Sequence, residues 1–160
     1  MGSKELDGVL LNKYLNKGNT KGQLRLTTDA FQLATAVLFQ NPVQMFGLTP
    51  NNLTDVPAFE LDFLKKIPTT WDETVFIDGF PGTSSVLARR HVQKWYGAGT
   101  NAEKIAKKLK LNLQMLAGQS ITIYNNKNTK ETYTTSVKVS KNGELSIKIQ
   151  PNRGFVLTNN

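Results

Sequence analysis

The hydrophobic positions follow two different patterns, and the change falls near residue 70. Before it, apolar residues recur at helical spacing, whereas after it they alternate with polar residues in short runs. Residues 27–40 are apolar on almost every side, with Thr27 or Thr28 placed to cap a helix and Asp29 in its first turn. A helix without a polar face must be covered on most sides. The helix predicted over residues 27–40 therefore needs neighbours to cover it. Residues 1–23, which we interpret as loop or weakly ordered structure, do not supply them.

The next segments follow the order of an α/β protein. Residues 43–46 (VQMF) are typical of a short buried strand, and residues 47–52 of a loop. Residues 57–67 predict an amphipathic helix that ends before Pro68, because proline lacks the N–H that continues a helix. Helix, strand, loop and helix are typical of a parallel sheet, yet one strand cannot form one. We therefore predict that residues 1–70 are part of a larger α/β domain.

From Trp71 to the end, the pattern predicts an antiparallel β-sandwich. Short runs of period two are separated by turn residues about every 8–12 positions. Asn142-Gly143 is typical of a two-residue hairpin, which predicts that the strands on either side pair with each other. At Gly97 we expect that a bulkier apolar residue would pack better. The predicted strands are residues 75–77, 84–91, 94–99, 107–113, 120–124, 133–139, 144–149 and 154–157.

Composition narrows the classes of function. The apolar fraction is 39%, no apolar run is long enough to span a bilayer, and we see no signal peptide. The absence of cysteine excludes disulfides and thiol catalysis. Residues 1–80 carry 7 Lys and Arg against 9 Asp and Glu, whereas residues 81–160 carry 13 against 3. This basic half is compatible with polyanion binding through Lys107, Lys108, Lys110 and Arg89. Because the lysines alternate with apolar residues, we favour a solvated strand surface, and we predict neither a nucleic-acid nor a membrane partner.

The sequence shows no constellation for catalysis. Hydrolysis of a glycosidic bond needs two carboxyl groups that face that bond, but Asp72 and Glu73 are adjacent and on a strand would point to opposite faces. Glu60 and Asp62 fall on the polar face of the predicted helix, where we expect them to be solvated. His91 has no partner at HxH or HExxH spacing. We therefore predict no catalytic residue and no metal site in this chain.

Aromatic residues offer an alternative function. An exposed ring can stack on a sugar, so Trp95 or Tyr96 would serve a carbohydrate-binding sandwich. The two point to opposite faces of a strand, so we expect one in the core and the other exposed. Trp71 lies where the two hydrophobic patterns meet, and we expect it to pack between the two architectures.

The chain resembles a known family in several motifs. TTDAFQLATAVLFQNPVQMF, PAFELDFLKKIPTTWDET, VLARRH and KWY resemble the C-terminal part of glycoside hydrolase family 97, bacterial enzymes that act on α-linked sugars. The resemblance covers most of residues 25–120 and the closing PNRGFVL. In that family a calcium-dependent (β/α)₈ barrel precedes a C-terminal β-sandwich. The resemblance implies that residues 27–40 match the seventh barrel helix, 42–46 the eighth strand and 57–67 the eighth helix.

The resemblance turns these patterns into one hypothesis. The fold is α+β overall, with the last helix–strand–helix elements of a (β/α)₈ barrel in residues 1–70 and an antiparallel β-sandwich in residues 71–160. The chain would be a structural and oligomerisation region of a longer glycosidase, here called the parent enzyme, and not catalytic by itself. By resemblance, the catalytic carboxylates and the calcium-binding glutamates lie upstream, and the parent enzyme is periplasmic or secreted. The expected partners are the rest of the barrel, other copies of the chain and, through the parent enzyme, an oligosaccharide.

Two residues are candidates for contact with the sugar in the parent enzyme. Barrel sites are built at the C-terminal ends of the strands. Gln44 lies at that end of the proposed eighth strand, and Asn51 follows in the loop. Gln44 would then reach a sugar hydroxyl. The alternative, a buried amide satisfied by backbone, remains open.

Overall fold

The computed structural model describes residues 5–15, 20–126 and 131–159. Residues 1–4 and 16–19, which belong to the predicted N-terminal loop, lie outside this description. The helices are α1 (Asp29–Leu38), α2 (Asn52–Asp55) and α3 (Ala58–Lys66), with a 3₁₀ turn at Gln114–Leu116. The strands are β1 (Glu5–Gly8), β2 (Val43–Phe46), β3 (Glu73–Phe80), β4 (Ser84–His91), β5 (Lys94–Asn101), β6 (Lys107–Asn112), β7 (Ser120–Asn126), β8 (Thr132–Lys138), β9 (Glu144–Ile149) and β10 (Arg153–Asn159).

The predicted sandwich is confirmed as two antiparallel sheets of unequal size. The larger, here called the main sheet, has the order β3-β4-β5-β10-β7-β8. The smaller is a ribbon of β6 and β9. Apolar side chains that alternate along both sheets meet between them and form a first core, in which Leu116, Ile121, Ile149 and Phe155 are fully buried.

Glycines on β5 make room for large residues on its neighbour. Gly97 lies opposite Leu157 on β10, and a Cβ at Gly97 would come within 2.8 Å of the Leu157 side chain. Gly99 relates in the same way to Phe155. The expectation that a bulkier residue would suit position 97 is therefore wrong, because the space is already filled from the adjacent strand.

The other face of the main sheet is covered by α1 and α3, here called the helical segment. Thr28 caps α1 by accepting a hydrogen bond from Phe31 N at 3.4 Å, as the sequence predicted. The apolar side of α1 packs on β5 and β10, approaching so closely that a Cβ on Gly154 would lie 2.9 Å from Phe31 Cα. This contact corrects an expectation, since the neighbours of α1 include the sheet of its own chain. Leu33, Val37, Phe63, Ala98 and Val156 are buried in the resulting second core.

The hairpin prediction at Asn142-Gly143 is wrong in its partners. Gly143 has φ +77° and its N–H donates to Ser140 O at 3.0 Å, so a turn is present. The strands that flank it belong to different sheets, with β8 paired to β7 and β9 paired to β6. Local turn chemistry specifies a reversal of direction, but it does not specify which strand becomes the hydrogen-bonded neighbour.

The N-terminal residues form a strand that the sequence did not predict. β1 pairs with β2 in parallel, from Glu5 opposite Val43 to Gly8 opposite Phe46, and α1 is the crossover between them. The predicted loop before residue 57 also contains the single turn α2. The helix predicted over residues 57–67 is confirmed as α3. Within the described residues, no helix is both long and apolar enough to cross a membrane.

Candidate functional site

A buried arginine ties the main sheet to the helical segment. Arg89 on β4 is 2% exposed, and its guanidinium donates to Leu38 O and Phe39 O, each at 3.1 Å. These carbonyls belong to the C-terminus of α1, where a cation is favoured by the helix dipole. Burial lowers the pKa of Arg89 from its usual value. Arg89 therefore acts as a helix cap supplied by the sheet, and the sequence alone suggested only a surface cation.

Aromatic rings lie beside Arg89 between the main sheet and the helical segment. The contact formed by Arg89, Trp71, Tyr96, Phe63 and Lys66 is here called the seam. The Arg89 guanidinium lies 5.7 Å from the centre of the Trp71 ring, and Trp71 meets Tyr96 edge to face at 5.4 Å. Tyr96 contacts Phe63 of α3 at 6.4 Å, and its hydroxyl donates to Lys66 O at 3.1 Å. The expectation that Trp71 packs between the two architectures is confirmed by these contacts.

Neither candidate for sugar stacking is exposed. Trp95 is 8% exposed and lies in the first core, whereas Tyr96 is 5% exposed and lies in the second. Their strand, β5, is inside the main sheet, and both faces of that sheet are covered. The expectation that one of the two rings faces solvent is therefore corrected, because the sequence shows the alternation but not the second cover.

The structure places Gln44 against α1. Its Nε2 donates to Ala36 O at 3.2 Å, so this half-buried amide is held by the backbone of α1. Side chains alternate along β2, so Val43 and Met45 point away from α1, and both are exposed. The face of β2 opposite the helix is therefore formed by Val43 and Met45 and not by Gln44.

Asn51 belongs to a polar cluster after the two parallel strands, here called the strand-end cluster. Asn12 Oδ1 accepts hydrogen bonds from Asn51 Nδ2 at 3.1 Å and from Asn52 Nδ2 at 2.7 Å. Asn12 Nδ2 donates to Thr49 Oγ1 at 3.1 Å, and Asn52 Oδ1 accepts from Thr49 N at 2.8 Å. These bonds fix the segment after β1 to the segment after β2. No local pattern marks Asn12, because its contacts with Asn51 and Asn52 cross about forty residues.

Glu60 is buried, contrary to the expectation that it is solvated. Its side chain is 0% exposed, although it borders an open cavity of about 690 Å³ that Arg25, Asp29 and Thr132 also line. Neither carboxyl oxygen has a hydrogen-bond partner of normal geometry among the described residues. Burial, followed by the charge of Asp29, raises the pKa of Glu60 to about 8. At pH 7 the Glu60 carboxyl is therefore largely protonated and neutral.

Two further acidic residues, Asp72 and Glu73, lie at the start of β3 and meet a surface arginine. Asp72 and Glu73 both pair with Arg90, at 3.8 and 3.1 Å, and so they neutralise a surface cation. Within the described ranges, no three His, Asp or Glu side chains lie where they would bind a metal ion together. These residues therefore do not fit a calcium site.

The basic residues proposed for polyanion binding do not act as one surface. Arg89 is committed to the seam. Lys107 donates to Ser84 Oγ at 3.1 Å and pairs with Glu103 at 3.2 Å, whereas Lys108 and Lys110 are exposed on the ribbon. This separation favours the solvated strand surface.

Comparison with known proteins identifies the family. A family model described as the C-terminal, oligomerisation region of glycosyl hydrolase 97 matches residues 70–158. The chain belongs to this family. The match covers the sandwich from β3 to Thr158 of β10, together with Trp71, Arg89 and Tyr96 of the seam.

Individual relatives extend the match into the helical segment. A retaining alpha-galactosidase of Bacteroides thetaiotaomicron is 30% identical over 137 residues, which are 81% of this chain and 20% of that protein. A crystal structure of a beta-arabinopyranosidase is 53% identical with a TM-score of 0.94, covering 98% of this chain and 25% of the other. A family 97 enzyme from Pseudoalteromonas sp. strain K8, in complex with panose, has 24% identity and a TM-score of 0.73, covering 85% and 23%. The chain spans only about a fifth to a quarter of the length of these proteins.

Proposed function

We propose that the chain is the C-terminal region of a longer family 97 glycosidase, which it braces and helps to assemble into oligomers. The observation that supports bracing is the seam, where Arg89 caps α1 from the sheet while Trp71 and Tyr96 fill the space beside it. Because β5 and β10 cover α1, removal of the sandwich would expose a continuous apolar helix face.

Truncation of the parent enzyme tests the bracing role. A form that ends at residue 70 should aggregate or lose cooperative unfolding, because the second core loses its sheet half. Arg89→Met is the milder variant, and it should lower the unfolding midpoint while the chain keeps its length. A truncated enzyme that stays soluble, folded and fully active would contradict bracing.

We further propose that residues 5–66 supply the last elements of the (β/α)₈ barrel. The unit β1-α1-β2 is parallel with a helical crossover, as in such barrels. Val43 and Met45 on the open face of β2 would then point into the barrel interior and pack against strands from upstream. In the parent enzyme, Val43→Asp should impair folding, whereas Thr54→Asp, at an exposed position of α2, should not.

The parent enzyme is proposed to cleave α-galactosides or β-arabinopyranosides. One relative is named an alpha-galactosidase and another a beta-arabinopyranosidase, and α-D-galactose and β-L-arabinose share the same ring configuration. Nitrophenyl α-galactoside, β-L-arabinopyranoside and α-glucoside should be compared with the parent enzyme, and only the first two should be cleaved rapidly. The isolated chain should cleave none, and calcium-stimulated turnover by it would contradict the proposal.

Other features of the parent enzyme stay proposals. A calcium requirement would depend on ligands outside the described residues, and a periplasmic or secreted location would depend on a leader in the parent sequence. Asn51 is proposed to contact the sugar from the strand-end cluster, where it already bonds Asn12. Gln44 is proposed to contribute only through its bond to α1. Asn51→Ala should therefore raise KM, and Gln44→Ala should leave kcat/KM nearly unchanged.

A further inference from the structure

Large apolar side chains are exposed in only two regions of the described chain. Nine of them lie between residues 10 and 53, around β1, β2 and their loops. That region is the one expected to meet the rest of the barrel. Within the sandwich, the large apolar residues that are exposed are Phe76, Phe80, Val92 and Ile105. Such residues are scattered singly on most soluble surfaces, so their position relative to one another decides what they mean.

Two of the four residues, Phe76 and Phe80, lie on β3, the strand at one edge of the main sheet, here called the β3 edge. Phe76 lies in the middle of β3, opposite Leu87, and is 64% exposed. Phe80 lies near the end of β3, opposite Ser84, and is 71% exposed. A bulge after Phe76 shifts the register, so the two rings project from opposite faces of the edge.

Val92 lies in the turn between β4 and β5, and Ile105 lies in the segment that follows β5. Val92 N donates to Asp72 Oδ2, which holds the turn between β4 and β5 against the start of β3. Ile105 O accepts from Asn101 Nδ2 at 2.8 Å, and Asn101 pairs with Ser84 at the far end. Phe76 and Phe80 therefore lie on an edge strand, and among the described residues no strand pairs with the outer side of β3.

The other sandwich edges have a different character. β8 at the opposite end of the main sheet exposes Thr134, Ser136 and Lys138. The ribbon strand β6 exposes Lys108 and Lys110. Polar and lysine-rich edges discourage pairing between chains, whereas an edge with exposed aromatic rings permits it.

Charge also favours association at the β3 edge. The chain has a net charge of +8, so two copies repel each other through most of their surfaces. Residues 67–88, which include β3, contain no Lys or Arg and only Asp72, Glu73 and Asp78 as charged residues. Arg90 partly neutralises Asp72 and Glu73. Two copies that meet here bring no cluster of positive charge together.

We infer that the β3 edge is the surface through which two copies of the sandwich associate, with Phe76 and Phe80 as its buried anchors. The inference rests on the proposed oligomerisation role, and it names the contact surface. β3 lies within the residues matched by the oligomerisation model. A two-fold axis would place the edge against itself, so each chain would contribute the same strip.

Sedimentation equilibrium of the parent enzyme tests this contact. Phe76→Lys and Phe80→Lys should each raise the dissociation constant at least tenfold, because each places a cation in an apolar contact. Ser136→Lys on β8 adds the same charge at the opposite edge, and it should leave the constant within twofold of the wild-type value. Both phenylalanines are exposed, so circular dichroism and glycosidase activity should show that each variant is folded.

The outcomes separate the two proposals. A monomeric wild-type enzyme would overturn the oligomerisation role and this inference with it. An oligomeric wild-type enzyme whose two phenylalanine variants also stay oligomeric would overturn the β3 edge alone. A loss of association in Ser136→Lys but not in Phe76→Lys would place the contact at β8 instead.

Discussion

Replacement of Glu60 by glutamine should remove a pH dependence from the stability of the fold. The carboxyl is 0% exposed, and its pKa is raised from 4.5 to about 8. A group whose folded pKa is raised favours the folded state while it is protonated. Its stabilising contribution is therefore fully present below about pH 4.5 and is lost as the pH rises through about 8. Above that range, folding buries an ionised carboxylate.

The expected magnitude follows from the pKa difference. Each pH unit between the two pKa values is worth about 1.4 kcal/mol, so the free energy of unfolding should fall by roughly 2–3 kcal/mol from pH 5 to pH 7. Arg25 opposes the shift and Asp29 reinforces it, because both lie close enough for their charges to act on Glu60. Glu60→Gln has no proton to lose, so its unfolding free energy should lack this component.

Urea unfolding followed by circular dichroism at pH 5, 6, 7 and 8 measures the effect. The informative quantity is the difference between wild type and Glu60→Gln at each pH, because other titrating groups cancel in it. Glu144→Gln is the control, since Glu144 is an exposed glutamate at the start of β9. The difference should grow with pH for Glu60→Gln and stay flat for Glu144→Gln. A constant difference for Glu60→Gln would refute a buried, largely neutral carboxyl.

Two further predictions concern the contact between α1 and the sheet. Arg89→Ala should lower the free energy of unfolding by about 2–4 kcal/mol, because two hydrogen bonds from a charged donor are lost at the α1 C-terminus. Arg90→Ala, which breaks only surface ion pairs, should cost less than about 1 kcal/mol in the same urea titration. Gly154→Ala should cost about 1–3 kcal/mol and shift α1, since its Cβ meets backbone atoms at 2.9 Å. Gly118→Ala is the control, because Gly118 has φ +72° and open space around it, and it should cost about 1–2 kcal/mol without moving α1. If the chemical shifts of α1 residues are the same in both glycine variants, the packing argument is contradicted.

The sequence by itself determined the local elements and the sandwich. Period two fixed most strands of β3 to β10, and the caps and prolines fixed α1 and α3, because these are properties of neighbouring residues. The motifs of the sequence also indicated the family. The strand β1 was not predicted, because its four residues show no clear alternation of apolar and polar positions.

Only the tertiary structure decided which surfaces meet. The apolar pattern of α1 indicated that the helix must be covered, but not that β5 and β10, more than fifty residues away, would cover it. Arg89, Glu60 and Tyr96 all read as ordinary surface or alternating residues, and each became buried because a second layer closes over its face of the sheet or helix. The sequence predicted the turn at Asn142-Gly143, but the strands on either side of it, β8 and β9, belong to different sheets. Spacing along a chain reports which face a side chain occupies, whereas burial depends on what the rest of the chain places against that face.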